Sequence, residues 1–388
     1  MKKIYFDHQA TTPIHPEVLS LMESLQREVF GNPQSLHSFG YEAKKLLEDA
    51  RNKIAQLLNV EPNEIYFTSS GAESNNWALK GVAFANADKG KHLIVSAIEH
   101  PSIIQSAKRL EKLGFEITYL KVDKYGVIDL EELKKSIKKE TILISVMHAN
   151  YEVGTIQPIK EIAEIAKEKK ILFHSDGVAV AGQLLIDLKE LGCDLYTISS
   201  HTFYGPKGVA LLYIKKGTKI QPLIEGGVQE NNKRAGTENL IGIIGMAKAY
   251  EIAIKELTER RKKLERLRDR LINELPKKIE NIYLTGHPQN RLPNHASFCV
   301  EYIEGESMLL FLDDQGIAVA SGSACTSKSL KASHVLLAMG IPPVLAQGSI
   351  VFTLGIENTD EDIDYLLEVF PPIVKRLREI SPLYKNKN

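Results

Sequence analysis

Nowhere does the chain approach the ~18 uninterrupted apolar residues that a membrane-spanning helix needs, so no transmembrane segment is expected. Charge of one sign is equally lacking, because 49 Lys and Arg balance 49 Asp and Glu across 388 residues. Without an excess of either sign, no global field draws nucleic acid, an acidic partner or a membrane surface. The opening Met1-Lys2-Lys3-Ile4-Tyr5-Phe6-Asp7 reaches an acidic residue before any long apolar stretch. That order argues against a secretory signal and gives a cytoplasmic expectation. Cysteine is scarce: Cys193, Cys299 and Cys325 make no disulfide framework, and their spacing matches no zinc motif. Cys193 and Cys299 stand among apolar neighbours and read as inert core residues. Internal repeats and low-complexity tracts are absent as well.

What the sequence does have is alternation. Short β-rich runs at Glu64–Thr68, His92–Ala97, Phe115–Leu120, Thr141–Met147, Ile171–Ser175, Leu195–Ser199 and Val209–Ile214 are separated by helix-like stretches. Three of those stretches are Ser74–Ala85, Ser102–Leu113 and Ile159–Lys167. Several of the runs are apolar throughout, the pattern of strands covered on both faces. Strands joined through helices imply crossover connections and a mainly parallel sheet. A large α/β domain is expected over residues 16–255. The charged segment Glu251–Leu275 reads as a surface helix leading out of it, its charges a solvated face. Strand-like runs Ile282–Leu284 and Ala296–Tyr302, with helices Ser307–Gln315 and Ile363–Leu377, give a smaller α+β domain over 1–15 and 256–388.

Chemistry-bearing residues recur as short ordered motifs. These are Asp7-His8-Gln9-Ala10-Thr11-Thr12-Pro13, Gly31-Asn32-Pro33, Glu73-Ser74-Asn75-Asn76, Glu99-His100 and Met147-His148-Ala149-Asn150. Further along come His174-Ser175-Asp176, Ser199-Ser200-His201-Thr202, Arg234-Ala235-Gly236-Thr237-Glu238-Asn239 and Ser321-Gly322-Ser323-Ala324-Cys325. Cys325 sits in a small, polar run that reads as an exposed loop. Lys328 nearby favours the thiolate, the nucleophilic and metal-ligating form.

In register, these motifs resemble the cysteine desulfurase family of the class V aminotransferase superfamily, over nearly the whole chain. The resemblance implies a fold-type I pyridoxal-enzyme fold: a mainly parallel seven-stranded sheet in a large domain, plus a smaller α+β domain. It also implies a homodimer whose pockets are completed across the interface by residues 234–239. In such a pocket His100 stacks on the pyridine ring and Asp176 pairs with its nitrogen. Ser199 and His201 serve the phosphate side, and Thr237 arrives from the neighbouring subunit. Cys325 is the residue that accepts sulfur and carries it as a persulfide.

Five positions depart from the family. Thr202 stands where the Schiff-base lysine is expected, and a hydroxyl neither forms an imine nor acts as a base near neutral pH. Ala72 lacks the hydroxyl of the phosphate turn, and Ala179 lacks the amide that bonds the phenolic oxygen. Tyr151 fills space the substrate needs, and Val351 replaces the arginine that grips its carboxylate. Lys207, five residues beyond Thr202, is also present in intact desulfurases and offers no substitute. The resulting expectation is a pseudoenzyme without covalent pyridoxal phosphate, working in iron–sulfur cluster assembly or sulfur transfer. Cys325 would carry sulfur or ligate an iron–sulfur cluster with a scaffold or sulfur-acceptor partner. Two alternatives stand beside it: a non-catalytic partner of an active desulfurase, and a desulfurase holding pyridoxal phosphate non-covalently. The residues alone also allow Asp176 to hold a loop, His100 and His201 to be polar core histidines, and Ser199, His201 and Thr237 to bind another anion.

Overall fold

Strands that are apolar on both faces must be covered on both faces, and helices between them supply the cover. The computed structural model describes residues 3–322 and 332–385. Its strands in chain order are β1 (Ile4–Tyr5), β2 (Ile65–Thr68), β3 (His92–Ser96), β4 (Glu116–Leu120), β5 (Thr141–Ser145) and β6 (Leu172–Asp176). There follow β7 (Leu195–Ser199), β8 (Ala210–Ile214), β9 (Ile282–Leu284), β10 (His295–Val300), β11 (Ile317–Ala318) and β12 (Ser349–Thr353). Seven of them form one sheet in the order β2-β8-β7-β6-β5-β3-β4. Only β8 runs against its neighbours, so the sheet is mainly parallel, as the alternation implies. An antiparallel sheet β12-β10-β9 and a short parallel pair β1-β11 complete the strands.

Helices α1 (Pro16–Glu28), α2 (Ser38–Leu58), α3 (Gly71–Ala85) and α4 (Pro101–Glu111) come first in the chain. Both α3 and α4 start earlier than apolar periodicity suggests, because a cap precedes each. The Ser70 hydroxyl accepts from Glu73 N at 3.2 Å, and His100 Nδ1 accepts from Ser102 N at 3.1 Å. Pro101 at the first helical position is preset for that start. The long charged helix expected over Glu251–Leu275 is two helices instead. Leu240–Lys255 is largely buried, Glu256 leaves helical geometry at φ −97° and ψ 1°, and Leu257–Lys278 continues the run. The strand expected to Tyr302 stops at Val300, since Tyr302 takes φ +70°.

Two of the apolar cores among the described residues follow from this arrangement. One fills the faces of the seven-stranded sheet, with Phe67, Ile144, Phe173 and Tyr196 on one side and Trp77, Leu93, Val95 and Leu212 on the other. The second gathers Phe6, Leu267, Leu271, Phe298, Phe352 and Phe370 from the N-terminal arm and the C-terminal elements. The arm crosses between them. The Thr12 amide and hydroxyl both donate to His201 O, at 2.8 and 2.9 Å, and Tyr204 N donates to Thr12 Oγ1 at 2.7 Å.

A buried ion pair fixes the segment on the far side of the large sheet. Arg51 of α2 donates to both Glu230 oxygens, at 2.9 and 2.6 Å, and to Ile65 O at 2.7 Å. Glu230 in turn accepts from Phe67 N at 2.7 Å, from a left-handed backbone at φ +46°. Removing one partner strands a buried charge, which costs about 3–5 kcal/mol. Arg51→Met should lower stability by that order in denaturant unfolding, and adding Glu230→Gln should recover part of the loss. An unchanged midpoint for Arg51→Met contradicts this account.

Candidate functional site

In open α/β sheets ligands collect beyond the carboxyl ends of the strands, where loops diverge. Here the chain beyond β2 supplies Ser70 and Gly71, and beyond β3 it supplies His100. Met147, Ala149, Tyr151 and Glu152 follow β5, Asp176 ends β6, and Ser199 and His201 close β7. All of them line one cavity of about 430 Å³. Asp7, Gln9 and Ala10 of the N-terminal arm, Ala320–Gly322 and Val351 of β12 form the opposite wall.

Asp176 is the most constrained group in it. Its Oδ1 accepts from Val178 N at 2.9 Å and its Oδ2 from Asn75 Nδ2 at 2.7 Å. Burial pushes its carboxyl up, and the nearby His100 works against that shift. The same Asn75 amide lies 2.9 Å from Ser102 Oγ, which lies 2.8 Å from His100 Nδ1. Histidine and aspartate are thus joined through two intermediates. Burial holds both His100 and His201 below the usual imidazole range. The Tyr151 ring meets His100 edge-on, with centroids 5.4 Å apart.

Of the residues singled out in the sequence, His100, Asp176, Ser199 and His201 come together, and so do Ala72, Tyr151, Ala179 and Val351. Two do not join them within one chain. Thr237 is exposed and does not line the cavity. Thr202 lies behind the wall, its hydroxyl shared between Val178 O at 3.0 Å and Ser199 O at 3.1 Å. Among the described residues no lysine or arginine lines the cavity. Cys325, with its role as sulfur carrier or cluster ligand, lies outside the described residues. The described chain on either side of it, Gly322 and Ser333, meets the same Glu152 carboxyl.

Sequence reasoning gave no part to Asn75 or Glu152. For Asn75 a signal existed: it lies one helical turn beyond Gly71 in α3, on the face that meets the ligand space. Glu152 carried none, since only the fold reveals that it is 4% exposed. Its amide and that of Val153 donate to Asn150 Oδ1 at 2.8 and 2.9 Å, fixing the turn. Its carboxyl bonds the Ser333 hydroxyl, while Oε1 is buried without a partner.

Burial pushes the Glu152 carboxyl from 4.5 up to about 7. A raised acid stabilises the fold below its unfolded pKa and loses that contribution as pH climbs through the folded one. Glutamine cannot titrate. Between pH 4.5 and 8 wild type should therefore lose about 3 kcal/mol relative to Glu152→Gln. Parallel pH profiles of melting temperature for the two proteins contradict this.

Comparison with known proteins bears on the cofactor. Residues 4–366 match the aminotransferase class-V family. The chain is 54% identical over 386 residues to cysteine desulfurase IscS of Dictyoglomus turgidum, covering 100% of this chain and 98% of that protein. It is 53% identical over 382 residues to cysteine desulfurase IscS of Methanosarcina thermophila, covering 98% and 94%. A solved NifS-like protein superposes with a TM-score of 0.92 at 40% identity, covering 97% of this chain and 100% of that one.

These relatives overturn the expectation of a chain that has given up covalent pyridoxal phosphate, with an iron–sulfur cluster in prospect. End-to-end matches at half identity are to cysteine desulfurases, for which the resemblance implies pyridoxal phosphate. Changed side chains do not amount to a dismantled site, since His100, Asp176, Ser199 and His201 still meet in one cavity. Ser199 Oγ and Asn75 Oδ1 are buried there without partners, as polar atoms awaiting a ligand are. Beside them the capped start of α3 offers free backbone N–H groups, with Gly71 packed close to Val178 and Ser199. These residues fit the ring and phosphate of the cofactor. Among the described residues no three His, Cys, Asp or Glu side chains are grouped to hold a metal ion. By sequence, fold and cavity alike, the chain belongs to the class-V aminotransferase family and, within it, to the cysteine desulfurases.

Proposed function

We propose that this protein handles sulfur for iron–sulfur cluster assembly or sulfur transfer, through a pyridoxal phosphate pocket and Cys325. The observation that carries this reading is the single cavity in which Asp176, His100, Ser199 and His201 meet. Bound pyridoxal phosphate supplies an electron sink for breaking bonds at the carbon next to an amine. Asp176, fixed by Asn75 and Val178, is the partner for a ring nitrogen, and His100 is the partner for the ring face. Ser199, His201 and the α3 N-terminus hold the phosphate. Cys325, as thiolate, is the nucleophile towards the sulfur of a substrate cysteine: the new S–S bond forms as the substrate's C–S bond breaks with its electron pair left on carbon. An acceptor thiolate then takes the outer sulfur and releases the Cys325 thiolate. Thr202 holds the turn by donating its hydroxyl to Val178 O and Ser199 O.

Docking of two copies accords with the same reading. Phe30, Leu36, Phe39 and Tyr41 are 76, 86, 51 and 58% exposed on the α1–α2 connection and the start of α2. An apolar group of this kind commonly marks an interface. Thr237, exposed in one chain, belongs in this proposal to the partner's phosphate site.

Pyridoxal phosphate added to the purified protein should give visible absorbance. Asp176→Ala should weaken that binding roughly ten- to a hundredfold, the loss of about 1.5–3 kcal/mol for a bond to a charged group. A wild-type protein that stays colourless rules this reading out. Thr202→Lys should raise sulfide release from cysteine, and no gain would place the limiting step elsewhere. Cys325→Ala should leave the absorbance unchanged and abolish persulfide transfer to an acceptor, read by mass spectrometry. In sedimentation, Leu36→Asp with Phe39→Asp should convert a dimer to a monomer; a dimer that survives both moves the interface to another face.

A further inference from the structure

Glu73 and Arg234 belong to two of the ordered sequence motifs yet touch neither the ring nor the phosphate side of the cavity, and the fold brings them together. Arg234 Nε donates to Glu73 Oε1 at 2.9 Å, and its Nη2 donates to Oε2 at 3.4 Å. The two side chains are only 17 and 11% exposed. A guanidinium that meets both oxygens of a carboxylate is fixed in direction as well as distance. Glu73 has further ties of its own. Its Oε2 accepts from Ser69 N at 2.8 Å and from the Ser69 hydroxyl, while its amide donates to Ser70 Oγ at 3.2 Å. Burial pushes the Glu73 carboxyl up, but the bonds from Arg234 and Ser69 outweigh that and hold it below the usual range. The turn that opens α3, whose Ser70, Gly71 and Ala72 line the cavity, is thus a firm footing for Arg234.

Arg234 also opens the span that runs to Asn239, and both ends of that span are fixed. Before it, Glu230, Asn231 and Asn232 take φ of +46, +54 and +63° in succession, a strained run held by the Arg51–Glu230 pair. Such strain persists only where the surroundings over-determine the backbone, so the path of the chain here is imposed. Beyond the span, Asn239 Oδ1 accepts from Gly242 N at 3.2 Å and caps the helix Leu240–Lys255. Between these anchors Ala235 N donates to Ile224 O at 3.2 Å, Gly236 turns at φ +105°, and Gln34 Nε2 reaches Glu238 Oε1 at 3.4 Å. Gly236 and Thr237 are exposed at the crest. A short exposed span takes its direction from its anchors, and Arg234 is the one tied to the turn that opens α3.

We infer that Arg234, footed on Glu73, is a positioning residue for the partner's phosphate site, because it aims Thr237 across the dimer interface. This rests on the proposed dimer with pyridoxal phosphate in its cavities, and it names the side chain that sets the geometry of the shared site. Cofactor affinity, read by absorbance titration, should fall roughly tenfold in Arg234→Met, the scale of one lost bond to a charged group. Arg234→Lys keeps the charge and loses the two-point grip, so its loss should be smaller. Thr237→Val should match Arg234→Met, and the two together should be no worse than either alone, since both act through one contact. The decisive sample is a mixed dimer of an Arg234→Met chain with an Asp176→Ala chain, isolated through two different tags. Its one site that retains Asp176 is completed by the intact span of the other chain, so half of the sites should bind with wild-type affinity. Should Arg234→Met not fold, Arg234→Lys carries the same test. A retained site as weak as in the Arg234→Met homodimer, additive losses, or an unaffected Arg234→Met protein would overturn the inference. Normal cofactor binding by a dimer in every variant faults this inference alone; a wild type that takes up no cofactor, or stays monomeric, faults the reading beneath it as well.

Discussion

The site depends on keeping one carboxylate, Asp176, buried and fixed at the end of a parallel strand. An isolated carboxylate in such a place would be neutralised or pulled towards water, so its surroundings must hold it. Val178 N and Asn75 Nδ2 do so at 2.9 and 2.7 Å. That demand sets the placement of α3, whose capped start brings Asn75 over the strand end. It also sets the placement of α4, whose cap residue His100 reaches the same carboxylate through Ser102 and Asn75. The caps that begin these helices and the groups that form the site are the same residues, so local helix chemistry and function are one constraint here.

The fold was largely legible in the sequence because apolar strand runs and helical spacing are local signals. The seven runs between residues 64 and 214 correspond to β2–β8, with no end differing by more than two residues. Breaks set by single backbone positions were less visible. Glu256 divides a run that reads as one helix, and the left-handed Tyr302 shortens a strand, neither through any strong breaker residue. Within the site, Asp176, His100, Ser199 and His201 were legible through ordered motifs. Glu152 was not, because a glutamate in a chain that is one-quarter charged carries no mark of burial. The cofactor expectation went astray for a related reason. Changed side chains are conspicuous in sequence, whereas retained orphan atoms such as Ser199 Oγ appear only once the walls are assembled.

Residues 72, 151, 179 and 351 all line the cavity. Ala72, Ala179 and Val351 make part of its wall apolar, and no described lining residue is a lysine or arginine. The carboxyls of Asp7, pushed up to about 6, and of Glu152, up to about 7, stand in that wall by virtue of burial. The cavity therefore combines a carboxyl fixed at a strand end, Asp176, with a largely apolar wall. Thr202 contributes to the wall only from behind, tying Val178 to Ser199.

The central claim is that this cavity holds pyridoxal phosphate around Asp176. A crystal structure of the protein grown with pyridoxal phosphate tests it most directly. The account predicts density for the ring between Asp176 and His100, with the phosphate at the start of α3 beside Ser199. An empty cavity, or the cofactor bound elsewhere on the protein, would contradict it.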